Sequence, residues 1–299
     1  MAYFLCGEGS SVTVTVDGVE VEELSLVSEN LADASISTLP QYFYYGSAVV
    51  YQGDIHILGG NYSSSYTQYH YKYNGTSWTS VSTIPYPFYQ GTAVVKDNEI
   101  HTLGSGNNPY NHHYKYNGTS WTSVSTIPYS FYWGDAVVFK DEIHILGSYV
   151  SPYNKHYKFN GTSWTSISTI PYAFRQGSAT VFNDAIHLLG GAGVETYHYK
   201  YNGTSWASES TIPYAYRQGS VVVHKGGIYA MGGTNKATTC YKYNGTSWTQ
   251  QTNLPYEFYN ASAVVYKKGI HLLGSSSGSS YYKCHYAIQR YVYIKGGAA

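Results

Sequence analysis

The sequence predicts an all-β chain folded as a six-bladed β-propeller, four antiparallel strands to a blade, preceded by a short N-terminal β-hairpin. Three observations predict it. The string Asn-Gly-Thr-Ser-Trp recurs with its tryptophan at Trp78, Trp121, Trp164, Trp206 and Trp248, at spacings of 42 or 43 residues. A proline follows each tryptophan seven residues later, at Pro85, Pro128, Pro171, Pro213 and Pro255, and a sixth, Pro40, ends a stretch (35–39) that copies residues 80–84. Sixteen residues after each of the six prolines stands His56, His101, His144, His187, Tyr229 or His271, inside an Ile-His-x-Leu-Gly-like string. Self-similarity at this period marks solenoids and propellers, and no segment has the helical period an α-solenoid needs.

Taken from the N-terminus, residues 12–16 and 19–21 alternate around Asp17-Gly18, the pattern of a hairpin outside the repeat. Within the first copy, residues 47–51 form a β-branched run closed by Gln52-Gly53-Asp54, and residues 55–58 a second strand ending on Gly59-Gly60. Residues 69–73 alternate aromatic and polar, Asn74-Gly75 is a tight hairpin turn, and residues 78–84 are a fourth strand stopped by Pro85, which cannot donate to a ladder. The sixth copy has three such strands and then departs from the pattern. A ring must be closed by a strand from one terminus, and residues 33–39 align with the missing fourth strand; residues 289–295 compete for the place. The expected division is an N-terminal extension over 1–32 and a propeller over 33–299.

The Ile55-His56-Ile57-Leu58-Gly59-Gly60 string, the aromatic strand, Trp78 and the Pro-x-x-x-Arg element (Pro171 to Arg175 and Pro213 to Arg217) stand in the order found in kelch repeats. Over residues 33–289 the chain resembles the kelch-repeat β-propeller family, without a fused partner domain. In two respects it departs: His replaces the usual Tyr in five second strands, and Tyr replaces the usual Arg in four of six copies. The resemblance implies a binding or recognition module. Kelch-type propellers also include a copper oxidase, whose Tyr–Cys cross-link and seven-bladed ring find no match here, and a sialate mutarotase. The last keeps a sugar-processing alternative open, since Arg175, Arg217 and Glu257 could gather round a sugar acid.

Composition narrows the partner. Charged residues make up 11% of the 299-residue chain and tyrosine numbers 37, a surface suited to neutral polar partners because the ring gives contact area at little entropy cost. Seventeen basic and seventeen acidic residues cancel, so nucleic acid is not expected as a partner. No apolar run is long enough to span a membrane, and membrane insertion is not expected. The start lacks the features of a signal peptide, leaving the compartment undetermined between cytoplasm and export within a particle. Oligomeric state is likewise undetermined.

Where a ligand would sit follows from comparing the copies with one another. Turns between strands one and two and between three and four are nearly constant, whereas connections from strand two to three and from strand four to the next blade vary; the varied face is the candidate recognition face. Four residues after each proline stand Tyr44, Tyr89, Tyr132, Arg175, Arg217 and Tyr259, and next to them Tyr45, Gln90, Trp133, Gln176, Gln218 and Asn260. These twelve are expected to ring the channel mouth as ligand-binding residues, their aromatic faces and amides suiting a glycan or a polar protein surface. A protein–protein interaction scaffold is the alternative within the binding class. No catalytic residues, metal or cofactor are expected. Equivalent histidines in successive blades are separated by about 10 Å, too far to share an ion bonded at about 2 Å, and acidic residues do not converge on the varied face. Cys6, Cys240 and Cys284 are too few for a disulfide framework.

Overall fold

The computed structural model describes residues 15–16, 19–20, 25–62, 65–234, 238–267, 269–278 and 282–295, and among them there is no helix. Six four-stranded antiparallel sheets form the blades. Blade 1 comprises Ser47–Tyr51, Asp54–Leu58, His70–Tyr73 and Trp78–Ser80, hydrogen-bonded in sequence order. Blades 2 to 5 repeat this ladder from first strands Thr92–Lys96, Asp135–Phe139, Ser178–Phe182 and Ser220–His224. Blade 6 takes three strands, Ser262–Tyr266, Gly269–Leu273 and His285–Lys295, from the C-terminal end and its fourth from the N-terminal end.

That fourth strand is Ser25–Ser35. It starts within the stretch assigned by sequence to an extension. Only Asp33, Ala34 and Ser35 pair with Ile288, Ala287 and Tyr286, the register that Trp78–Ser80 keeps in blade 1. Residues 36–39 leave the strand but stay tied to it: the Ile36 N–H donates to His285 O and the Leu39 N–H to Lys283 O, as Val81 and Ile84 donate to His70 and Gln68. Upstream, residues 25–32 and 289–295 pair with each other, so the segment proposed as a competing closure is instead the partner of the closing strand. Thr15–Val16 pairs with Val19–Glu20, and the rest of the predicted hairpin lies outside the described residues.

The core lies between blades. In the seam of blades 1 and 2, Val49, Tyr51 and Leu58 meet Ala93, Ile100 and Tyr116 across Ile84, Tyr86 and Phe88 of the connection. Five further clusters repeat this arrangement, the last joining Val264, Tyr266 and Leu273 to Leu39, Phe43 and Ile55. Phe88 is fully buried, and the Gly60 N–H donates to its carbonyl. A Cβ on Gly59, at φ +60, would stand 1.9 Å from that carbonyl oxygen, which is why the second strand must end on glycine. The repeat tryptophans are half-buried; Trp164 lies against Phe159 and His113, its indole N–H donating to Ser125 O at 3.2 Å.

Five blades carry a buried histidine pair, Nδ1 of the second-strand residue facing Nε2 of a third-strand residue at 2.7–2.9 Å: His56–His70, His101–His113, His144–His156, His187–His198 and His271–His285. The third-strand rings pack edge-on against the next blade, as His70 does on Tyr116 and Trp121. Burial lowers His56 and its equivalents to about 4, and burial together with the partner imidazole lowers His70, His113, His156 and His285 to about 3.

Two outcomes follow. Histidines in the unfolded chain take up protons below about pH 6.5, whereas these stay neutral in the fold to about pH 4. Stability is therefore complete above pH 6.5 and falls as pH drops towards 4. Thermal melts between pH 7 and 4 should show Tm declining throughout that window; a Tm flat from pH 7 to 5 would contradict the assignment. Removing residues 1–35 exposes the edge of blade 6 and should lower Tm by more than about 5 °C, a shift of at least 1–2 kcal/mol for a chain of this size. A truncated chain melting with the full one would show that Ser25–Ser35 is not what closes the ring.

Candidate functional site

The six residues five places after the prolines lead the chain into the first strands, and their backbones form a closed belt. The Gln90 N–H donates to Tyr45 O, Trp133 to Gln90, Gln176 to Trp133, Gln218 to Gln176, Asn260 to Gln218 and Tyr45 to Asn260, all at 2.7–2.9 Å. Every member is left-handed, with φ between 51° and 60°, a conformation that costs non-glycine residues about 1–3 kcal/mol. The belt offsets that cost one hydrogen bond per residue. The glycine that follows in five blades has a packing reason: a Cβ at Gly46 would meet the Phe43 ring at 2.4 Å and Leu58 O at 2.8 Å.

Tyr45, Gln90, Trp133, Gln176, Gln218 and Asn260, with the five glycines and Ala261 beside them, line an open cavity of about 100 Å³ on the ring axis. No charged side chain is in the lining. The Tyr45 and Trp133 rings meet edge to face at 5.2 Å, spanning the place of Gln90 between them, and burial raises the Tyr45 phenol above its ordinary value. Gln218 Oε1 accepts from Tyr259 Oη (2.9 Å) and Thr234 Oγ1 (3.2 Å). Asn260 is 7% exposed; its Nδ2 donates to Ser276 Oγ at 2.9 Å while its Oδ1 is buried without a partner. Thr234 and Ser276 belong to strand two-to-three connections, so the variable loops brace the cavity residues.

The other six sequence candidates stand outside the lining. Tyr89 is buried and donates to Gly106 O at 2.5 Å. Tyr44 packs on Tyr45 and Tyr282, Tyr132 on Tyr110 and Tyr149, and Tyr259 braces Gln218. The Arg175 guanidinium lies over Tyr149 and Tyr153, at 5.1 and 4.6 Å from the ring centroids. Arg217 is half-buried, and its carbonyl accepts from the Thr234 N–H. A single ring of twelve is thus corrected to an inner six around the cavity and an outer six behind it, because neighbouring residues at a sharp turn aim apart. None of Arg175, Arg217 and Glu257 is in the lining, and Arg175 is engaged with two tyrosines of its own seam.

Beneath the backbone belt runs a second one made by the first residue of each innermost strand. Ser47 Oγ accepts from the Ala93 N–H, Thr92 Oγ1 donates to Asp135 Oδ1, Asp135 Oδ2 accepts from the Ala179 N–H, and Ser178 Oγ donates to Gly219 O. Ser220 Oγ accepts from the Ala263 N–H and Ser262 Oγ donates to Gly46 O, which completes the circle. Five positions hold a hydroxyl and blade 3 a carboxyl. Burial pushes Asp135 up to about 6, against the opposing pull of hydrogen bonds from Ala179, Ala136 and Thr92. The alignment of Asp135 with Ser and Thr in the other copies was the signal of this role available in the sequence. Among the described residues no three His, Cys, Asp or Glu side chains group to hold a metal ion, and Cys240 is a buried thiol.

No protein-family model matches the chain, so the kelch family is not shown and the likeness is one of repeat residues alone. No curated protein matches it either. Solved structures do, in 426 chains. One of them, described as the structure of YjhT, is 13% identical with a TM-score of 0.70, covering 86% of this chain and 96% of that one. At that identity the likeness shows the fold, a six-bladed propeller. It also corrects the expectation that the chain is not an enzyme. A shared propeller ring provides no ground for excluding catalysis.

Proposed function

We propose that the axial cavity binds a carbohydrate. The observation that carries the reading is the make-up of the lining: four carboxamides that both donate and accept, two aromatic rings for the C–H face of a sugar, and no charged side chain. The kelch-like repeat supports a recognition role for this face.

A second reading, processing of the bound sugar, is favoured by Asp135. A carboxyl titrating near 6 suits general acid–base chemistry close to neutral pH, and Asp135 directly follows Gly134 of the cavity wall.

A glycan-array screen followed by calorimetry tests the first reading. Trp133→Ala should weaken sugar binding by about 1–3 kcal/mol and leave Tm within a few degrees of the parent. Trp164→Ala should do the reverse, lowering stability by about 2–3 kcal/mol for a half-buried indole with affinity unchanged in the folded fraction. Unfolding of the Trp133 variant, or undiminished binding by it, removes the site. For the second reading, anomer exchange of the bound sugar, followed by NMR, should accelerate with an inflection near pH 6 and lose that acceleration in Asp135→Asn. Exchange at the uncatalysed rate would eliminate it.

A further inference from the structure

One feature of the loop face is not explained by the repeat. Five aromatic rings stand in single file from the seam of blades 6 and 1 to the cavity. Tyr42 meets Tyr282 at 5.1 Å, Tyr282 meets Tyr44 at 5.0 Å, Tyr44 meets Tyr45 at 5.2 Å, and Tyr45 meets Trp133 at 5.2 Å. All five are half-buried, so each keeps part of its surface in solvent. The outer end is marked by the Lys283 ammonium, 5.6 Å from the Tyr42 ring centroid. Its inner end, Tyr45 and Trp133, is part of the cavity wall.

Internal comparison shows that the scaffold does not require this row. The residue three places after the proline is a fully buried ring in all six connections: Phe43, Phe88, Phe131, Phe174, Tyr216 and Phe258. The flanking positions are free to vary. Where the connection into blade 1 has Tyr42, Tyr44 and Tyr45, that into blade 4 has Ala173, Arg175 and Gln176, and that into blade 5 has Ala215, Arg217 and Gln218. Packing therefore leaves these flanking positions open, and at the seam of blades 6 and 1 they carry the rings that lead to the cavity.

We infer that this row is an extended subsite for an unbranched, neutral oligosaccharide, whose terminal unit occupies the cavity and whose following units lie along Trp133, Tyr45, Tyr44, Tyr282 and Tyr42. The inference rests on the carbohydrate reading of the cavity. The centroids stand 5.0–5.2 Å apart with planes inclined at 35–81° to one another, so the file offers one ring face or edge to each successive unit of a sugar chain; a protein partner would need a broader patch. The row contains no carboxylate and has one ammonium at its outer end, so the fitting chain is neutral.

The test is calorimetry on the full chain with the di- and hexasaccharides of three neutral β-1,4 series, from cellulose, xylan and chitin. In one series the hexasaccharide should bind at least about tenfold more tightly than the disaccharide, the gain of about 1.4 kcal/mol expected from added stacking. Tyr44→Ala and Tyr282→Ala should reduce the hexasaccharide to disaccharide affinity and leave the disaccharide unchanged. Tyr282→Phe, which keeps the ring, should retain the gain, and Trp133→Ala should weaken both ligands. Circular dichroism and Tm identify variants that remain folded. Equal affinity for the two lengths would overturn the row and leave the cavity reading standing. A folded Tyr282→Ala and a folded Tyr44→Ala that both keep the full gain would also overturn it. Absence of binding by every sugar in the panel would remove the row and the cavity together.

Discussion

The belt of six backbone hydrogen bonds around the axis is the constraint on which the rest depends. Each bond joins one blade to the next in the same sense, so the circle exists only when six blades are present and the last meets the first through Tyr45 and Asn260. Six left-handed residues are strained together, and no member is relieved unless all are. A second circle, carried by Ser47, Thr92, Asp135, Ser178, Ser220 and Ser262, repeats the closure with side chains one layer down. Closure therefore reaches back to the N-terminal strand. Without Asp33, Ala34 and Ser35 on His285–Lys295, the sixth blade has an open edge and the seam holding Leu39 and Phe43 lacks one wall.

Function follows from what the belt leaves unspecified. It uses only the N–H and C=O of its members, so their side chains are free of structural duty while their positions are fixed to within the precision of the ring. Two places earlier in each connection the opposite holds, and a buried ring is present in all six blades. Rigid backbone beneath variable side chains is the arrangement in which a binding site costs the scaffold least. Tyr45, Gln90, Trp133, Gln176, Gln218 and Asn260 differ because nothing in the packing asks them to agree.

Much of this was legible in the sequence, and the reasons for the exceptions are physical. Blade number, strand order and closure by the N-terminal side follow from local turn chemistry repeated in register. The start of the closing strand at Ser25 was not legible, because residues 25–32 pair with 289–295 outside the repeat and have no copy to be compared with. The histidine pairs were half visible. His56 is cross-strand from Lys72, and its contact with His70 is diagonal, a neighbour relation set by sheet twist and side-chain length. At the channel mouth six of the twelve candidates reach the lining; adjacent residues at a left-handed turn diverge, and only geometry shows that Tyr45 enters the lining while Tyr44 lies behind it.

The neutrality of the cavity has a further consequence for selectivity. Charged sites attract ligands at long range and lose affinity as salt is added; a wall of carboxamides and aromatic rings acts only at contact. Discrimination then falls to whether each hydroxyl meets a donor or an acceptor, and an amide that finds the wrong partner is left unpaired at a cost of about 1–3 kcal/mol. Asn260, its Nδ2 held by Ser276, is the most constrained of these side chains. Gln218, whose Oε1 already accepts from Tyr259 and Thr234, presents chiefly its amide N–H groups. On the carbohydrate reading, the amides of Asn260 and Gln218, in adjacent blades of a rigid ring, stand at a fixed spacing that a ligand must match. The same belt that closes the propeller therefore fixes the geometry of the cavity it surrounds.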